Sequence, residues 1–578
     1  MRRLCFPNAG IHVSRFLFKP VLALAAVLGQ FGASAPAFAA PAFPLHTSGQ
    51  FIVDSNGARV HLNAFNWYGS EGTDYVVEGL KAQPLASIAA TIKGLGFNAV
   101  RLPWSNQMVE SNPVVGSYAL TANTSLEGEH ALTIFDAVVN ALTSAGIMVI
   151  LDNHMSNAGW CCSTTDNNEL WYNSDYPEAN WIADWQMLAQ RYQGNPMVTG
   201  VDLRNEPRSP ATWGGNASDD WHAAAERGGN AVLAVNPGLL IFVEGVNYAG
   251  DLSGVASLPV QLNVANQLVY EAHDYGFWYS NGFTSYGNYV NTITPKWGYL
   301  AAGSNPQPLW IGEFGTCNSA STCVSSNNAT DLGYWFQAMT TFAQQYGIDW
   351  SYWAINGTTE AGNGGGFGTV EGYGVLNVAW NGSALPALTS RLQSMMATGP
   401  AINLVANSGA ISIATPGARG NATVVILPAN GFSGTVSLTC SVSGPSGAID
   451  VPQCTAPGSV AIATNGNAGA TVSISTTGAV ARNAPATGEP GGNRRTSLAL
   501  AAALLSLGSR RRWQKNFFLL LVFLATSFAL AACGSGGSTT NNGGGESSGT
   551  TPGSYLVTIT ASASGVSSVS TQIGLTVQ

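Results

Sequence analysis

Where the short apolar runs of this chain stop, the residues are nearly all polar or aromatic. The stretch VDLRNEPRSP (residues 201–210) ends its apolar part in Asn205 and Glu206, and LWIGEF (309–314) carries Glu313 at the equivalent place. The ends of the other runs supply Arg101 and Trp104, His154, His273 and Tyr275, and Trp353. Any one of these alone is best read as a capped strand end or a satisfied buried polar group. Two glutamates, two histidines, an arginine and an asparagine at matching positions of different runs are a pattern that chance rarely makes. Two carboxylates facing one another across a pocket are the minimal kit for hydrolysing a glycosidic bond: one hands a proton to the leaving oxygen, the other attacks or assists as the anion. Their surroundings must push their pKa values apart. Arg101 beside Glu313 would hold that carboxylate ionised, whereas Glu206 follows the neutral Asn205 and has no evident cationic partner. Glu206 is therefore expected as the acid/base and Glu313 as the nucleophile, with Asn205 placed to bond a sugar hydroxyl.

Such convergence needs a scaffold that brings many strand ends to one face. Eight apolar or β-branched runs recur: VHLNAFNWY (60–68), AVRLPW (99–104), MVILDNH (148–154), GVDLRNE (200–206), LIFVEGV (240–246), LVYEAH (268–273), LWIGEF (309–314) and WSYWAI (350–355). Segments with helical periodicity separate several of them, such as PLASIAATIKGLG, HALTIFDAVVNALTSAG and WIADWQMLAQRY. Near-continuous apolar strands alternating with helices imply a parallel sheet covered outside, and eight units over about 300 residues fit a (β/α)8 TIM barrel, an α/β fold with its site at the C-terminal ends of the strands. FIVDSNGARVHL, before the first run, reads as a hairpin turning at SNG under the barrel floor.

On these motifs residues 43–391 resemble glycoside hydrolase family 5, and within it the bacterial endo-β-1,4-glucanase branch. The motifs are Arg101 in VRLPWS, His154 in LDNH, Asn205 and Glu206 in LRNEP, His273 and Tyr275 in EAHDYG, Glu313 in IGEFG and Trp353 in SYWAIN, with none missing. LAQRYQGNP, ERGGNAVLAVNPGLLIFVEGV and LVYEAHDYG extend the likeness. The resemblance implies double displacement with net retention through a glycosyl-enzyme on Glu313. It further implies that Arg101 and Tyr275 orient Glu313, that His154 and Asn205 bind hydroxyls, that His273 supports the acid/base, and that Trp353 floors the reacting sugar. Indoles suit this chemistry because sugar rings carry apolar C–H faces. Of Trp67, Trp104, Trp160, Trp171, Trp213 and Trp278, two or three are expected to line the cleft and the rest to be core. The same family machinery serves mannanases and xyloglucanases, so the sugar stays open, and a noncatalytic glycan-binding or adhesion protein is the reading from another class. The glycine-rich AGNGGGFGTVEGYG after Trp353 has little bulk and is expected to widen the cleft. No metal cluster or nucleotide loop is seen in the sequence, so no cofactor is implied.

Composition fits this picture. Of 578 residues 46% are hydrophobic and only 9% charged, with 68 Gly and 16 Trp, so solubility rests on Ser, Thr, Asn and Gly. A net charge of -9 without a central basic tract argues against a nucleic-acid partner; a polysaccharide substrate and a monomer are expected. Arg2, Arg3, Arg15 and Lys19 precede an apolar run at 21–28, and Ala37-Phe38-Ala39 offers a cleavage site, so residues 1–39 read as a signal peptide of a secreted protein. Cys317 with Cys323 and Cys440 with Cys454 are spaced for disulfides in an oxidising compartment. For the adjacent Cys161 and Cys162, a vicinal bridge and two free thiols are both open.

The catalytic domain is expected at 41–396. Past Met396 aromatics nearly vanish, and GAISIAT, ATVVILP, GTVSLTCSVS, GSVAIAT and ATVSIST read as strands of a small all-β sandwich at 401–493, resembling bacterial immunoglobulin-like modules. It is interrupted at 494–553: SLALAAALLSLG, the basic RRRWQK and FFLLLVFLATSFALAAC form two apolar limbs about a positive turn, before SYLVTITASASG and STQIGLTVQ at 554–578 complete the sandwich. A membrane hairpin through 497–533, attaching the protein to a membrane or cell surface, and a non-membranous insertion are both open, since each limb is short of the roughly 20 residues a crossing needs. Lacking exposed aromatics, the sandwich reads as a spacer rather than a cellulose binder.

Overall fold

A computed structural model describes residues 40–279, 282–283, 285–326, 331–360, 366–407, 409–463, 466–479 and 549–578. The expected signal peptide and the apolar limbs of the insertion lie outside the described residues. Among the described residues no helix is long and apolar enough to cross a membrane.

Two short strands, β1 (His46–Ser48) and β2 (Phe51–Val53), open the fold as an antiparallel pair. Every expected apolar run then contains a strand: β3 (Asn63–Asn66), β4 (Ala99–Ser105), β5 (Met148–Met155), β6 (Val198–Asp202), β7 (Leu240–Glu244), β8 (Leu268–His273), β9 (Leu309–Phe314) and β10 (Asp349–Tyr352). They close into a barrel in the order β10-β3-β4-β5-β6-β7-β8-β9, each neighbour parallel to the next. β4 to β7 and β9 are buried at every residue, which explains their unbroken apolar character: one face meets the barrel interior and the other the helices.

The connecting helices are α1 (Leu85–Gly94), α2 (Asn106–Ser111), α3 (Ala131–Ser144), α4 (Glu178–Arg191), α5 (Trp221–Val235), α6 (Tyr286–Ile293), α7 (Tyr299–Ala302), α8 (Leu332–Tyr346) and α9 (Pro386–Met395). In α3 the buried set Ala131, Leu132, Ile134, Phe135, Val138, Val139 and Leu142 follows the 3.6-residue period and turns one face to the barrel. α5 starts where the Asp220 side chain accepts a hydrogen bond from Ala223 N.

The lower half of the barrel is a dry plug. Ala64, Ala99, Met148, Ile150, Leu240, Phe242, Val269 and Trp310 fill it, and Leu45, Ile52, Val60 and Leu62 seal it from below. The floor hairpin differs from the expected one in its register. Its paired strands are 46–48 and 51–53, turning at Gly49 (φ +58°), while the SNG turn is formed but supports only a single bridge, Val53 to Arg59. Asp54 explains this: its carboxylate accepts from Ala42 N, Asn56 N and Ala58 N, and so takes backbone donors that a longer ladder would have used.

The C-terminal strands form two sheets, β11 (Ala401–Ala406), β13 (Arg419–Ala429), β17 (Ala468–Ser475) and β15 (Gln453–Thr455) in one, β12 (Ile411–Ile413), β19 (Val569–Val577), β18 (Gly553–Ser562), β14 (Gly434–Ser443) and β16 (Ser459–Ile462) in the other. Residues of both, such as Val424, Ile426 and Val472 against Val557, Ile559 and Leu575, share one core. β18 lies between β14 and β19, so the strands after the insertion are integral to the sheet. Cys440 of β14 is bonded to Cys454 of β15 and ties the two sheets together. β11 and β15 are strands that the sequence pattern did not single out. β11 has both faces occupied: Ile402 and Leu404 enter the sandwich core, while Val405, with Leu427 of β13, packs into the core of the catalytic domain. Tyr334 Oη of α8 donates to Ala406 O at 3.2 Å across that junction.

Candidate active site

At the C-terminal end of the barrel the dry plug gives way to charge. Arg101, fully buried on β4, spreads its guanidinium beneath the site. It donates to Asp202 Oδ2 (2.5 and 2.9 Å), Glu244 Oε1 (3.0 Å), Asn66 Oδ1 (3.0 Å), Asn205 Oδ1 (3.0 Å) and Glu313 Oε1 (2.9 Å). It also pairs with Asp152 Oδ2 at 2.9 Å. Burial opposes its charge, but the carboxylates around it outweigh burial and hold its pKa well above the usual value. The planar fork thus gathers six side chains from β3, β5, β6, β7, β9 and the turn after β6, which a lysine could not do.

Glu313 is held at both oxygens, by Arg101 and by Tyr275 Oη, which donates to Oε2 at 3.0 Å. Both oxygens accept, and this leaves the carboxylate aimed into the cleft. Glu206 lies just past the end of β6 with φ at +48°, in the left-handed region that costs a non-glycine residue roughly 1 kcal/mol. Its backbone N–H donates to Glu244 Oε2 at 2.6 Å, and the preceding turn is pinned where Trp181 Nε1 and Trp185 Nε1 both donate to Leu203 O at 3.1 and 3.0 Å. Buried tryptophans on α4 therefore brace the acid's backbone from behind the strand.

The expectation that Glu206 lacks a cationic partner is overturned, so its expected acid/base role no longer rests on the absence of one. His273 Nδ1 stands 3.0 Å from Glu206 Oε1 and 3.7 Å from Glu313 Oε2, while its Nε2 is 3.4 Å from both Glu244 and Glu271. Burial disfavours the imidazolium, yet Glu244, Glu313 and Glu206 outweigh it and raise the His273 pKa well above its ordinary value. The resemblance implied that His273 supports Glu206; the run pattern alone could not pair them, because the two residues are 67 positions apart and meet only when β6 and β8 are brought together by the barrel. One atom each of Glu206, His273 and Glu313 lies within 4.8 Å of the others.

His154 behaves oppositely. Burial lowers its pKa to about 3, so the ring is neutral; Asp152 Oδ2, 2.6 Å from Nδ1, takes that nitrogen's proton as a hydrogen bond and leaves Nε2 as the acceptor. Its ring stacks on Trp353 (centroids 5.5 Å apart, 19° between planes), and Trp353 stacks on Tyr68 (5.0 Å, 2°). Tyr68 and Trp353, with Tyr275, belong to one buried aromatic cluster on which Trp160 and Tyr373 pack.

Against this cluster opens a cleft of about 640 Å³. His154, Asn205, Glu206, Tyr275, Glu313 and Trp353 all line it; Arg101 and His273 lie buried beneath it. Of the six tryptophans considered from sequence, Trp160 and Trp278 line the cleft, Trp67, Trp104 and Trp171 are fully buried core, and Trp213 is partly buried with Nε1 on Leu258 O. Trp104, one residue before the end of β4, thus faces Trp185 rather than the cleft. The described part of the glycine-rich stretch supplies Glu371 and Tyr373 to the wall, and Tyr68 Oη donates to Glu371.

Sequence reading missed Asp152, Asp202, Glu244 and Glu271, all fully buried. Burial pushes Asp152 up to about 7, Asp202 to about 6 and Glu271 to about 8, with Arg101 pulling each down, and pushes Glu244 well up. A signal was present: Asp152 precedes His154 by two, and Glu271 precedes His273 by two, so each shares its partner's strand face. An acid inside a buried apolar run has no other place to point than the barrel axis.

The family model described as "Cellulase (glycosyl hydrolase family 5)" matches residues 53–359. An "Endoglucanase" of Paenibacillus polymyxa is 38% identical over 330 residues, spanning 54% of this chain and 79% of that protein. The "Major extracellular endoglucanase" of Xanthomonas campestris pv. campestris is 34% identical over 360 residues, 60% of this chain and 70% of that one. The solved catalytic domain of the major endoglucanase from Xanthomonas campestris pv. campestris superposes with a TM-score of 0.53 at 30% identity, covering 61% of this chain and 99% of that chain.

Proposed function

The chain belongs to glycosyl hydrolase family 5, and on that premise we propose that it is a secreted, retaining endo-β-1,4-glucanase that cleaves internal bonds of cellulose or related β-glucans. The observation that carries retention is the spacing of the two acids: a carboxylate oxygen of Glu206 and one of Glu313 are within 4.8 Å. Retaining enzymes hold their carboxyl groups about 5–5.5 Å apart, whereas inverting ones need about 6.5–9.5 Å to admit a water. The endoglucanase names of the relatives and the open, aromatic-rimmed cleft support the substrate class.

In this reading a glucosyl unit lies on Trp353 with its hydroxyls toward His154 Nε2 and the Asn205 amide. Glu313 attacks the anomeric carbon as Glu206 gives its proton to the departing glycosidic oxygen. The second step reverses the roles: Glu206 takes a proton from water, the water oxygen attacks the same carbon, and Glu313 leaves as the carboxylate. Arg101 and Tyr275 keep the nucleophile's oxygens aimed, and His273 positions Glu206. Export follows from the N-terminal charge, apolar and small-residue pattern.

The test uses the full chain, wild type beside Glu206→Gln and Glu313→Gln, with reducing-sugar release on soluble β-1,4-glucan and on β-mannan and NMR of the first anomer formed. Activity on glucan with β-anomer product, lost in both variants while the folded spectrum persists, is expected. Azide should rescue Glu313→Ala with an inverted product. Full activity in either Gln variant would sink the assignment, and activity on mannan alone would change the substrate.

A further inference from the structure

Two adjacent cysteines stand in the wall of this cleft. Cys161 and Cys162 are paired as a vicinal disulfide, half-buried, and their sulfurs lie within 4.8 Å of a Glu206 carboxylate oxygen. Asn205 Nδ2 points at them, 3.3 Å from Cys161 Sγ and 3.6 Å from Cys162 Sγ, while Asn205 Oδ1 accepts from Arg101 Nη2 at 3.0 Å. The loop that carries them is anchored on both sides: Gly159 N donates to Glu71 O at 3.2 Å, and Arg208 Nε donates to Ser163 O at 2.9 Å.

An asparagine amide can be turned over at little steric cost, and only its neighbours decide which end faces the substrate. Here the two ends meet opposite demands. Arg101 has only donors and claims the oxygen; a disulfide has no proton and can only accept, so it claims the NH₂. Because sulfur is a weak acceptor, that second bond is readily exchanged for a sugar hydroxyl. A pair of free thiols would lose this discrimination, since S–H groups also donate, and would no longer hold the loop in one shape.

We propose that the Cys161–Cys162 bridge is a positioning element of the cleft, fixing the Asn205 amide and walling the flank of Glu206. It rests on the retaining-glucanase reading above. Opening the bridge with an added dithiol breaks the S–S bond, places one hydrogen on each cysteine sulfur and oxidises the dithiol to its own disulfide, so activity should respond reversibly to that couple.

The experiment is a double-mutant cycle in the full chain: wild type, Cys161→Ala/Cys162→Ala, Asn205→Ala, and the triple variant, each assayed for kcat and KM on soluble β-1,4-glucan. Removing the bridge is expected to lower kcat about tenfold with little change in KM in the wild-type background, as for a misplaced polar group, and to cost almost nothing further once Asn205 is alanine. Equal losses in both backgrounds would overturn the proposal, because they would show a general packing role. So would an undiminished kcat in the bridge variant, or differential alkylation that finds both cysteines free in the isolated protein. Should the variant fail to fold, the same question is put to wild type and to Cys317→Ala/Cys323→Ala by mild dithiol treatment and reoxidation. Reversible loss in both, tracking the 161–162 peptide, supports the bridge; loss that disappears in Cys317→Ala/Cys323→Ala refutes it. A wild type silent on glucan would fault the glucanase reading instead.

Discussion

Replacing Tyr275 by Phe isolates one bond of the proposed machinery. The ring is buried, stacked on Phe277 with centroids 4.9 Å apart, and set edge-on to Trp278 at 5.8 Å, so phenylalanine keeps its packing and opens no cavity. What disappears is the O–H donated to Glu313 Oε2 at 3.0 Å. Burial first, then the charges of Glu313 and Glu206, raise the phenol's pKa well above its usual value, so the donor is protonated at every working pH. A hydrogen bond to a charged group is worth about 1.5–3 kcal/mol. Arg101 still holds Oε1, so the loss falls on the aim of Oε2. If that aim is used in the attack, the full amount enters the barrier, and about 1.4 kcal/mol per decade gives a fall of about 10- to 150-fold. Steady-state kinetics on an aryl β-cellobioside, which reports formation of the glycosyl-enzyme, should show the fall in kcat/KM, with the thermal midpoint nearly unchanged. A change under threefold, or one confined to KM, would refute the idea that Tyr275 positions the nucleophile.

Stability should depend on pH in a direction set by the buried acids. Burial raises Asp202 and Asp274 to about 6, Asp152 and Asp184 to about 7, and Glu71 and Glu271 to about 8. Unfolded carboxyls lose their protons near 4, so from there up through these values the native state binds more protons and stability falls as pH rises. The raised His273 acts in the same sense above its ordinary value, while His154, lowered to about 3, adds stability with rising pH only between about 3 and 6.5. A thermal midpoint higher at pH 5.5 than at pH 8 is expected; the reverse order by calorimetry would contradict the buried-acid account. Gly312→Ala should destabilise by about 1–3 kcal/mol through overpacking, because its Cβ would overlap Glu271 Oε1 with Cδ at 2.5 Å and Cγ at 3.0 Å. An unaltered melting curve would mean that the acids beneath the site shift freely.

Periodicity alone, in this chain, determines a great deal. Eight apolar runs separated by helical segments admit few arrangements that bury them, and a parallel barrel is the one in which every strand can be apolar on both faces. Because side chains alternate along a strand, polar residues that end such runs are committed to the C-terminal mouth, and Arg101, His154, Asn205, Glu206, His273, Tyr275, Glu313 and Trp353 were legible in the sequence. Three-dimensional closure decided the rest. That His273 reaches Glu206, that four further acids share the charge of Arg101, that Trp181 and Trp185 hold the acid's backbone, and that Val405 leaves its own sandwich for the catalytic domain all depend on contacts between segments far apart in sequence. Local pattern reports which face a residue is on; only the sum of all packing choices fixes which groups, from opposite sides of the barrel, come within hydrogen-bond reach.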